Sequence, residues 1–299
     1  MPVRFTKNKQ VVRDLQCDLI QRFFGERLGH LKYFGLSSPE MKDVRDWAPL
    51  FAEFHVAERG QAGQEWLDQH DLLVTAALCG LSGKVTLMRG DIDRIAMDGT
   101  DASGVPVAYP FDVISLDYSG GLFYRNGRDI PRLTSIERVI EEQGKRSREC
   151  LLFVSLRVTS PFNGEVKRTL DNIQTELLRY GTNANVVIQA IRIHEMEQIR
   201  LKVYVPYFVN QVASRARLRC QTKKPIMYAG NKQAPMMNFM FTLRPDMATV
   251  APRFPQERLV QIINSPLREI KGGKLHEVTF ELPKLAVPSK VVSRSQQQL

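Results

Sequence analysis

Alternation of apolar and amphipathic segments is the feature of this sequence that most constrains its fold. Apolar runs at 31–38, 53–60, 84–91, 111–121 and 150–160 are typical of strands, and segments with helical periodicity separate them. Spacings of ~20–40 residues leave room for a crossover helix between successive parallel strands. The pattern predicts an α/β fold, with a doubly wound, Rossmann-like parallel sheet covered by helices on both faces.

Two later segments, 200–210 and 236–245, also alternate in hydrophobicity. Such alternation is typical of strands. We therefore expect a late antiparallel hairpin at one edge of the sheet, which would then contain seven strands. In the helical segments, Ser38 is expected to cap a helix that begins at Pro39, and Gly181 to end a helix over 166–181.

The predicted domain organisation has three parts. A helical extension at 1–29 precedes a main domain at 30–250. That domain carries a basic insertion at about 211–235. The remaining segment, 251–299, contains several prolines and ends in SRSQQQL, which indicates a C-terminal extension with a disordered tail.

Composition excludes several classes of protein. No apolar run approaches the ~20 residues needed to span a bilayer, and MPVRFTKNKQ lacks the apolar segment of a secretory signal. The four cysteines form no CxxC pair, which disfavours a zinc site and indicates reduced thiols. The sequence thus predicts a cytoplasmic protein with no metal and no membrane contact. The cysteines are Cys17, Cys79, Cys150 and Cys220.

Positive charge is concentrated in the second half of the chain. Positions 1–160 hold 21 basic and 22 acidic residues, whereas 161–299 hold 21 and 10. Such asymmetry indicates a polyanionic partner, of which nucleic acid is the commonest, although a solvated basic surface is the alternative. One segment is predicted to follow phosphates along a strand face, with Tyr228 stacking on a base. Its basic residues are Arg215, Arg217, Arg219, Lys223, Lys224 and Lys232.

The carboxyl ends of the predicted strands are where an open α/β sheet binds its ligand. After the first strand, Gly35, Ser37 and Ser38 form a small-residue turn that would let the backbone approach a ligand closely. Glu58 follows Gly35 by 23 residues, near the ~20-residue offset at which an acid binds ribose hydroxyls. A tight turn and a surface acid are the structural alternatives.

Polar groups also follow the third and fourth strands. Asp91 is predicted to accept a hydrogen bond from an exocyclic amine, with Ile92 packing against the base. Asp117 and Tyr118 open the loop DYSGG. Neither GxGxxG nor GxxxxGK[ST] occurs in the chain, so a cofactor without a phosphate cradle is favoured. Helix caps and turn acids are the alternatives here.

Four segments in this order resemble the motifs of class I S-adenosylmethionine-dependent methyltransferases, and most closely the tRNA guanine N2-methyltransferase type. KYFGLSSPEMKDVRDW is similar to the first motif, HVAERG to the second, MRGDI to the third and FDVISLDYSGG to the fourth. The resemblance covers about 30–160. It implies S-adenosylmethionine as cofactor, bound by Gly35, Ser37, Ser38, Glu58, Asp91 and Ile92.

The fourth motif positions the target amine beside the methyl group in that family. The resemblance therefore implies that Asp117 accepts a hydrogen bond from the amine and that Tyr118 stacks on its base. The leading hypothesis is a methyltransferase acting on an exocyclic amine of a nucleic-acid base. The first motif here lacks Gly-x-Gly, and the fourth lacks proline.

Those departures leave two alternatives open. The chain could be a catalytically degenerate subunit of the same fold that binds nucleic acid or a protein partner in a larger assembly. It could also be another Rossmann-type enzyme, such as a hydrolase that uses Asp117. The sequence does not distinguish DNA, RNA and protein as targets.

Overall fold

A computed structural model gives the fold of the chain. It describes residues 7–37, 40–59, 65–118, 120–122, 125–126, 130–158, 197–230, 234–247 and 265–278. Several predicted features lie outside the described residues: the Ser38–Pro39 cap, the 166–181 helix with Gly181, Lys232 and the tail from 279 onward.

The described residues form one ten-stranded sheet and a separate two-stranded pair. The large sheet has the order β12-β11-β9-β10-β7-β4-β1-β2-β3, with β8 also paired to β10. The strands are β1 Leu31–Leu36, β2 Phe51–Glu58, β3 Val85–Arg89, β4 Val113–Asp117, β5 Arg125–Asn126, β6 Ile130–Pro131, β7 Cys150–Arg157, β8 Leu218–Thr222, β9 Ile226–Ala229, β10 Pro235–Pro245, β11 Leu267–Lys271 and β12 Lys274–Val278.

Six α-helices accompany these strands in the described part of the chain. They are α1 Lys7–Phe24, α2 Lys42–Trp47, α3 Glu65–Leu78, α4 Ile92–Asp98, α5 Arg132–Lys145 and α6 Glu197–Arg215. Because α2 begins at Lys42, its N-cap position is Met41 rather than Ser38.

The predicted α/β class is confirmed. Strand β1 pairs in parallel with both β2 and β4, so the strand order reverses between β1 and β4. Parallel pairing continues from β2 to β3 and from β4 to β7, while β10 runs antiparallel beside β7. A reversal of this kind opens a crevice at the carboxyl ends of the strands.

Helices cover both faces of the sheet. Helices α1, α2 and α3 pack on the face that carries Tyr33, Phe54 and Phe153. Helices α4, α5 and α6 pack on the other face, which carries Phe34 and Phe239. Successive strand residues alternate between these two cores, so each polar residue at a strand end can be assigned to a face.

The predicted strand at 200–210 is wrong, because this segment belongs to α6. Its apolar residues are so dense that they fit helical as well as alternating periodicity, and Leu201, Tyr204 and Val205 enter the core at helical spacing. Pro206 lies inside the helix. The Asn210 side-chain amide donates to the Pro206 carbonyl oxygen at 2.8 Å.

The antiparallel partner of β10 is instead supplied by the basic segment. Strands β8 and β9 lie end to end beside β10, so most of 211–235 is part of the sheet or of α6. Strand β11 then adds in parallel to β9, and β12 closes the edge. The described sheet therefore exceeds the seven strands expected. The domain boundaries at 29 and 250 stay predictions.

Candidate functional site

The carboxyl ends of β1, β2, β3 and β4 lie at one edge of the sheet, here called the cofactor edge. Gly35 is level with Ser115 of β4, and Glu58 is level with Arg89 of β3. Asp117 lies two residues beyond Ser115 at the end of its strand. The predicted residues of four separate strand ends are therefore brought together.

Gly35 is required by the packing of the chain itself. A Cβ atom at this position would lie 2.6 Å from the Tyr33 hydroxyl oxygen, and closer still to the backbone carbonyl oxygen of Ser115. Ser37 follows the strand and is half-buried. Neighbouring protein atoms thus occupy the space next to Gly35 where the sequence predicts a close approach of the cofactor.

Glu58 and Asp91 are adjacent at the ends of β2 and β3. The Gly90 amide donates to the Glu58 carbonyl oxygen at 3.2 Å. The Asp91 carboxylate caps α4 by accepting from the Asp93 amide at 2.9 Å, and it lies 3.5 Å from an Arg59 nitrogen. Ile92 is buried in the core. The Asp91 carboxylate therefore already caps α4, and any hydrogen bond from a base would be added to that contact.

Asp117 forms an ion pair with the N-terminal helix. Its carboxylate lies 2.6 Å from the Lys9 ammonium nitrogen, and the two side chains are only 18% and 27% exposed. One turn further along α1, the Arg13 guanidinium pairs with Asp43. Helix α1 thus covers the cofactor edge at β4, and the cavity left there is about 10 Å³, room for at most about one water molecule.

The charges in this cluster set the protonation of Asp117. Burial acts to raise the pKa of Asp117, but Lys9, Ser155 and Arg13 outweigh it and hold the pKa below its ordinary value. Burial also acts to lower the pKa of Lys9, whereas Asp117 raises it above its ordinary value. Both groups are therefore charged at neutral pH.

Replacing Lys9 by methionine is expected to lower the free energy of unfolding by about 2 kcal/mol, somewhat less than for a fully buried pair. The contribution of Asp117 is present above about pH 4 and disappears as the pH falls through its lowered pKa. That of Lys9 is lost as the pH rises through its raised pKa. Urea denaturation should therefore show a difference at pH 7 that shrinks toward pH 3.

The matched control is Lys145→Met, since Lys145 is exposed on α5 and pairs with Glu142 in the same helix. Its unfolding free energy should remain close to that of the wild type. Equal effects of the two substitutions would contradict the ion pair.

Tyr118 lies on the opposite face of the sheet from Asp117. It is 3% exposed, its hydroxyl donates to Asp93 at 2.9 Å, and the Arg132 guanidinium carbon lies 3.8 Å from its ring centroid. Ser135 also donates to Asp93. A base could stack on the Tyr118 ring only after Arg132 had moved.

The predicted basic residues do not lie on one strand face. Arg215 is the last residue of α6 and pairs with Glu137 at 2.8 Å, Arg217 occupies the following turn with φ of +56°, and Arg219 is on β8. The prediction of a single strand is wrong because α6 extends through Arg215. Tyr228 is buried beside Asp117, and burial raises its pKa, so it is not exposed for stacking.

Two grooves nevertheless gather basic side chains at the opposite, amino ends of the parallel strands. The Lys202 groove has a volume of about 460 Å³ and the Lys223 groove about 410 Å³, and they share Gln221, Thr242 and Arg244. Burial lowers the pKa of Lys223, as do the nearby charges of Arg22 and Arg244. The Lys223 groove also contains Lys224 and Arg268.

Several of these residues have no signal in the sequence. Lys9 and Arg13 belong to a helix far from β4 in the chain, and Lys202 lies in a segment predicted as a strand. The net charge of +11 in 161–299 indicates a basic region. It does not indicate that Arg22 of α1 also lines the Lys223 groove.

Two negative findings are restricted to the described residues. Within those ranges, no three or more His, Cys, Asp or Glu side chains are grouped to hold a metal ion. Across the same part of the chain, no helix is both long and apolar enough to cross a membrane.

Comparison with known proteins gives only distant structural similarities. No family model matches the chain, and no curated protein matches it. The methyltransferase domain of a bacterial Hen1 is 12% identical, with 79% of this chain and 99% of that one covered and a TM-score of 0.42. A candidate RNA methyltransferase from Pyrococcus horikoshii is 9% identical over 79% and 82%, with a TM-score of 0.42.

A third similar structure is the O-methyltransferase TomG from Streptomyces achromogenes, solved with S-adenosylmethionine. It is 14% identical, the match covers 82% of this chain and 92% of that one, and the TM-score is 0.40. Because all three TM-scores are below 0.5, the function proposed below depends on the residues and geometry of this chain. The resemblance to the tRNA guanine N2 type stays a prediction.

Proposed function

We propose that this chain is an S-adenosylmethionine-dependent methyltransferase that acts on an exocyclic amine of a nucleic-acid base. The main support is the arrangement of polar groups at the cofactor edge. The reversal of strand order between β1 and β4 brings the Gly35 turn, Glu58, Asp91 and Asp117 to the place where doubly wound sheets bind their ligands.

Each group at this edge has a role that suits its chemistry. The Glu58 carboxylate would accept hydrogen bonds from the ribose hydroxyls, and Asp91 would accept from the adenine amine while it caps α4. Ser37 would lie against the methionine part of S-adenosylmethionine. S-adenosylmethionine supplies the methyl group when bound, and methyl transfer to an amine depends mainly on orientation and on a proton acceptor.

Asp117 would be that acceptor. A carboxylate accepts hydrogen bonds, so Asp117 can accept one from an amine. In the present conformation this carboxylate forms an ion pair with the Lys9 ammonium. Substrate binding would therefore require the Lys9 end of α1 to move from the edge.

Nucleic acid as the target is supported by charge. The chain has a net charge of +10, and the two basic grooves collect cationic side chains, including the predicted Arg219, Lys223 and Lys224. Phosphates bind such surfaces with release of counterions. Arg219 keeps 66% of its side chain exposed, although it lies 3.9 Å from Asp246.

The test is methyl transfer from tritiated S-adenosylmethionine to mixed RNA and to DNA. Asp117→Asn is expected to lower the turnover rate by about 100-fold or more while cofactor affinity stays within about twofold. Asp71→Asn, at an exposed position on α3, is the control and should retain full activity. Turnover that survives in folded Asp117→Asn contradicts the role of Asp117.

A non-catalytic subunit of the same fold is the second candidate. The Lys9–Asp117 ion pair and the covered Tyr118 ring favour it, because both predicted catalytic side chains are engaged by protein groups. This candidate predicts nucleic-acid or protein binding without methyl transfer to any substrate. Nucleic-acid affinity would fall steeply with salt.

A further inference from the structure

The Lys223 groove lies on the sheet face that α1 covers, where Leu19 of the helix and Met240 of β10 belong to the same core. Phe23 of α1 also lines this apolar side. Five cationic side chains border the groove, contributed by α1, by the segment between β8 and β9, by β10 and by β11. They are Arg22, Lys223, Lys224, Arg244 and Arg268. An apolar wall is therefore combined with a strongly basic one.

Two of these cations have only neutral partners in the described part of the chain. The Lys223 ammonium donates to Gln221 Oε1 at 2.9 Å, and Arg22 Nε donates to the backbone carbonyl oxygen of Asp18 at 3.2 Å. Burial lowers the pKa of Lys223, and the nearby charges of Arg22 and Arg244 lower it further. An anion bound between these cations would offset their repulsion.

The other three cations meet two carboxylates that do not line the groove. Lys224 Nζ lies 2.5 Å from Glu277 and Arg268 Nε lies 3.8 Å from the same side chain. Arg268 Nε is buried and has no hydrogen-bond partner among the described residues. Arg244 Nε lies 3.5 Å from Glu149. Across the described residues, five cations thus face two acids, which leaves the groove with net positive charge.

Arg244 provides a flat platform in the groove. Its guanidinium carbon lies 4.7 Å from the centroid of the Phe23 ring, so the aromatic ring and Glu149 orient the planar group. The Arg244 side chain is nevertheless 59% exposed. Guanidinium planes stack on nucleobases as they do on aromatic side chains. A base can therefore stack on Arg244 while its phosphate binds the neighbouring cations.

We propose that the Lys223 groove binds a nucleotide, with its phosphate held by Lys223 and Arg22 and its base stacked on Arg244. The volume of about 410 Å³ lies within the range of small-ligand sites. A nucleotide suits this lining better than an inorganic anion does, because it adds a flat base to the charged phosphate. The groove lies at the amino ends of the parallel strands, since Leu243, next to Arg244, is level with Cys150 at the start of β7. It is therefore separate from the cofactor edge.

The nucleotide is either free or part of a single nucleic-acid strand, because both present the same phosphate and base. In the second case the inference deepens the nucleic-acid binding of the proposed function and rests on it. Uridine probes keep the two proposals apart. Uracil has no exocyclic amine, so a uridine nucleotide is not a substrate for the proposed methyl transfer.

Calorimetric titration of the full chain with uridine 5′-monophosphate and with a short oligouridylate is the first measurement. Lys223→Met should bind at least about tenfold more weakly than the wild type, as expected for loss of a charged hydrogen bond. Lys145→Met removes the same charge from an exposed position on α5 and should bind like the wild type. Binding of neither probe by the wild type, or equal affinities for all three proteins, overturns the site.

Excess S-adenosylhomocysteine checks where the uridine probes bind. It should not displace them, because the proposed cofactor site lies at the other end of the parallel strands. Displacement would place the probes at the cofactor edge and overturn the inference. Loss of methyl transfer with Lys223-dependent uridine binding intact would count against the proposed function but not against this site.

Lys223→Met should fold, because the Lys223 side chain is only half-buried. The contact with β10 is made by the Lys223 backbone amide, which donates to the Met240 carbonyl oxygen at 2.9 Å. Circular dichroism and a thermal melt establish folding before titration. If the variant does not fold, Arg22→Gln serves instead, since Arg22 is exposed on α1, and the same tenfold criterion applies.

Ribose 5-phosphate tests the stacking on Arg244, because it carries the sugar and phosphate without a base. The wild type should bind uridine 5′-monophosphate at least about fivefold more tightly than ribose 5-phosphate. Arg244→Lys keeps the positive charge but removes the planar group, so this preference should disappear. A preference that persists in Arg244→Lys, or none in the wild type, contradicts the stacked base.

Comparison of the two uridine probes identifies the source of the nucleotide. Tighter, Lys223-dependent binding of the oligouridylate indicates a strand, and the slope of log affinity against log salt should then become shallower by about 0.7 in Lys223→Met. Lys223-dependent binding of the mononucleotide with no gain from the longer probe indicates a free nucleotide. An oligoglutamate that binds as tightly as the oligouridylate would show a site for acidic chains in general and overturn the assignment.

Discussion

Replacing Asp112 by asparagine is expected to lower the free energy of unfolding by about 3 kcal/mol. Asp112 is 1% exposed and accepts hydrogen bonds from the Lys32 amide at 2.9 Å and from Arg148 Nη2 at 3.0 Å. The Arg27 guanidinium pairs with the same carboxylate. One buried anion therefore joins the start of β1, the start of β4 and two arginines.

An asparagine of the same shape would turn an amide group toward at least one of these donors. The loss should appear in urea denaturation as a lower midpoint with an unchanged slope. Asp71→Asn, on the exposed face of α3, should change the unfolding free energy by less than about 0.5 kcal/mol. A loss at Asp112 no larger than at Asp71 would show that the carboxylate does not join these elements.

Gly35→Ala is expected to lower the free energy of unfolding by about 2–3 kcal/mol in the absence of any cofactor. The new Cβ would collide with a backbone oxygen of Ser115 and with the Tyr33 hydroxyl. Neither neighbour can yield easily, because Ser115 is paired within the sheet and Tyr33 is fully buried among aromatic rings.

The matched control for this substitution is Gly83→Ala, because no heavy atom lies within 4 Å of a Cβ added at Gly83. Its midpoint in a thermal melt should stay close to that of the wild type. If Gly35→Ala melts like the wild type but loses cofactor affinity, the glycine serves the ligand rather than the fold. A lower melting temperature without cofactor supports the packing role.

Strands β1, β2, β3, β4 and β7 could be predicted because each is a compact apolar run that ends in a polar or small residue. β7, for example, is buried along almost its whole length, as expected for a central strand in a two-faced sheet. Helix α6 could not be distinguished from a strand in this way. Its apolar density hides the helical period, and Pro206 makes a helix less expected.

The candidate site divides in the same way. The positions of Gly35, Glu58, Asp91 and Asp117 at or next to strand ends could be predicted because a strand end is a local feature and parallel strands end at one edge, whereas their binding roles stay predictions. The contacts of Lys9 with Asp117 and of Arg13 with Asp43 could not, since they join α1 to distant elements through tertiary packing. Nothing in the local pattern around Lys9 signals a partner in β4.

Tyr118 illustrates a different limit. Adjacent residues at a strand end point to opposite faces, so Asp117 faces α1 while Tyr118 enters the core beneath Arg132. Interpreting Asp117 and Tyr118 as a pair of neighbouring functional residues therefore overlooks that adjacent strand residues point to opposite faces of the sheet.

Calorimetric titration with S-adenosylmethionine is the measurement that tests the cofactor edge most directly. We expect micromolar binding by the wild type, affinity at least about tenfold weaker for Glu58→Gln, and wild-type affinity for Glu141→Gln, an exposed control on α5. Absence of binding by the wild type, or equal affinities for Glu58→Gln and the wild type, would contradict this expectation.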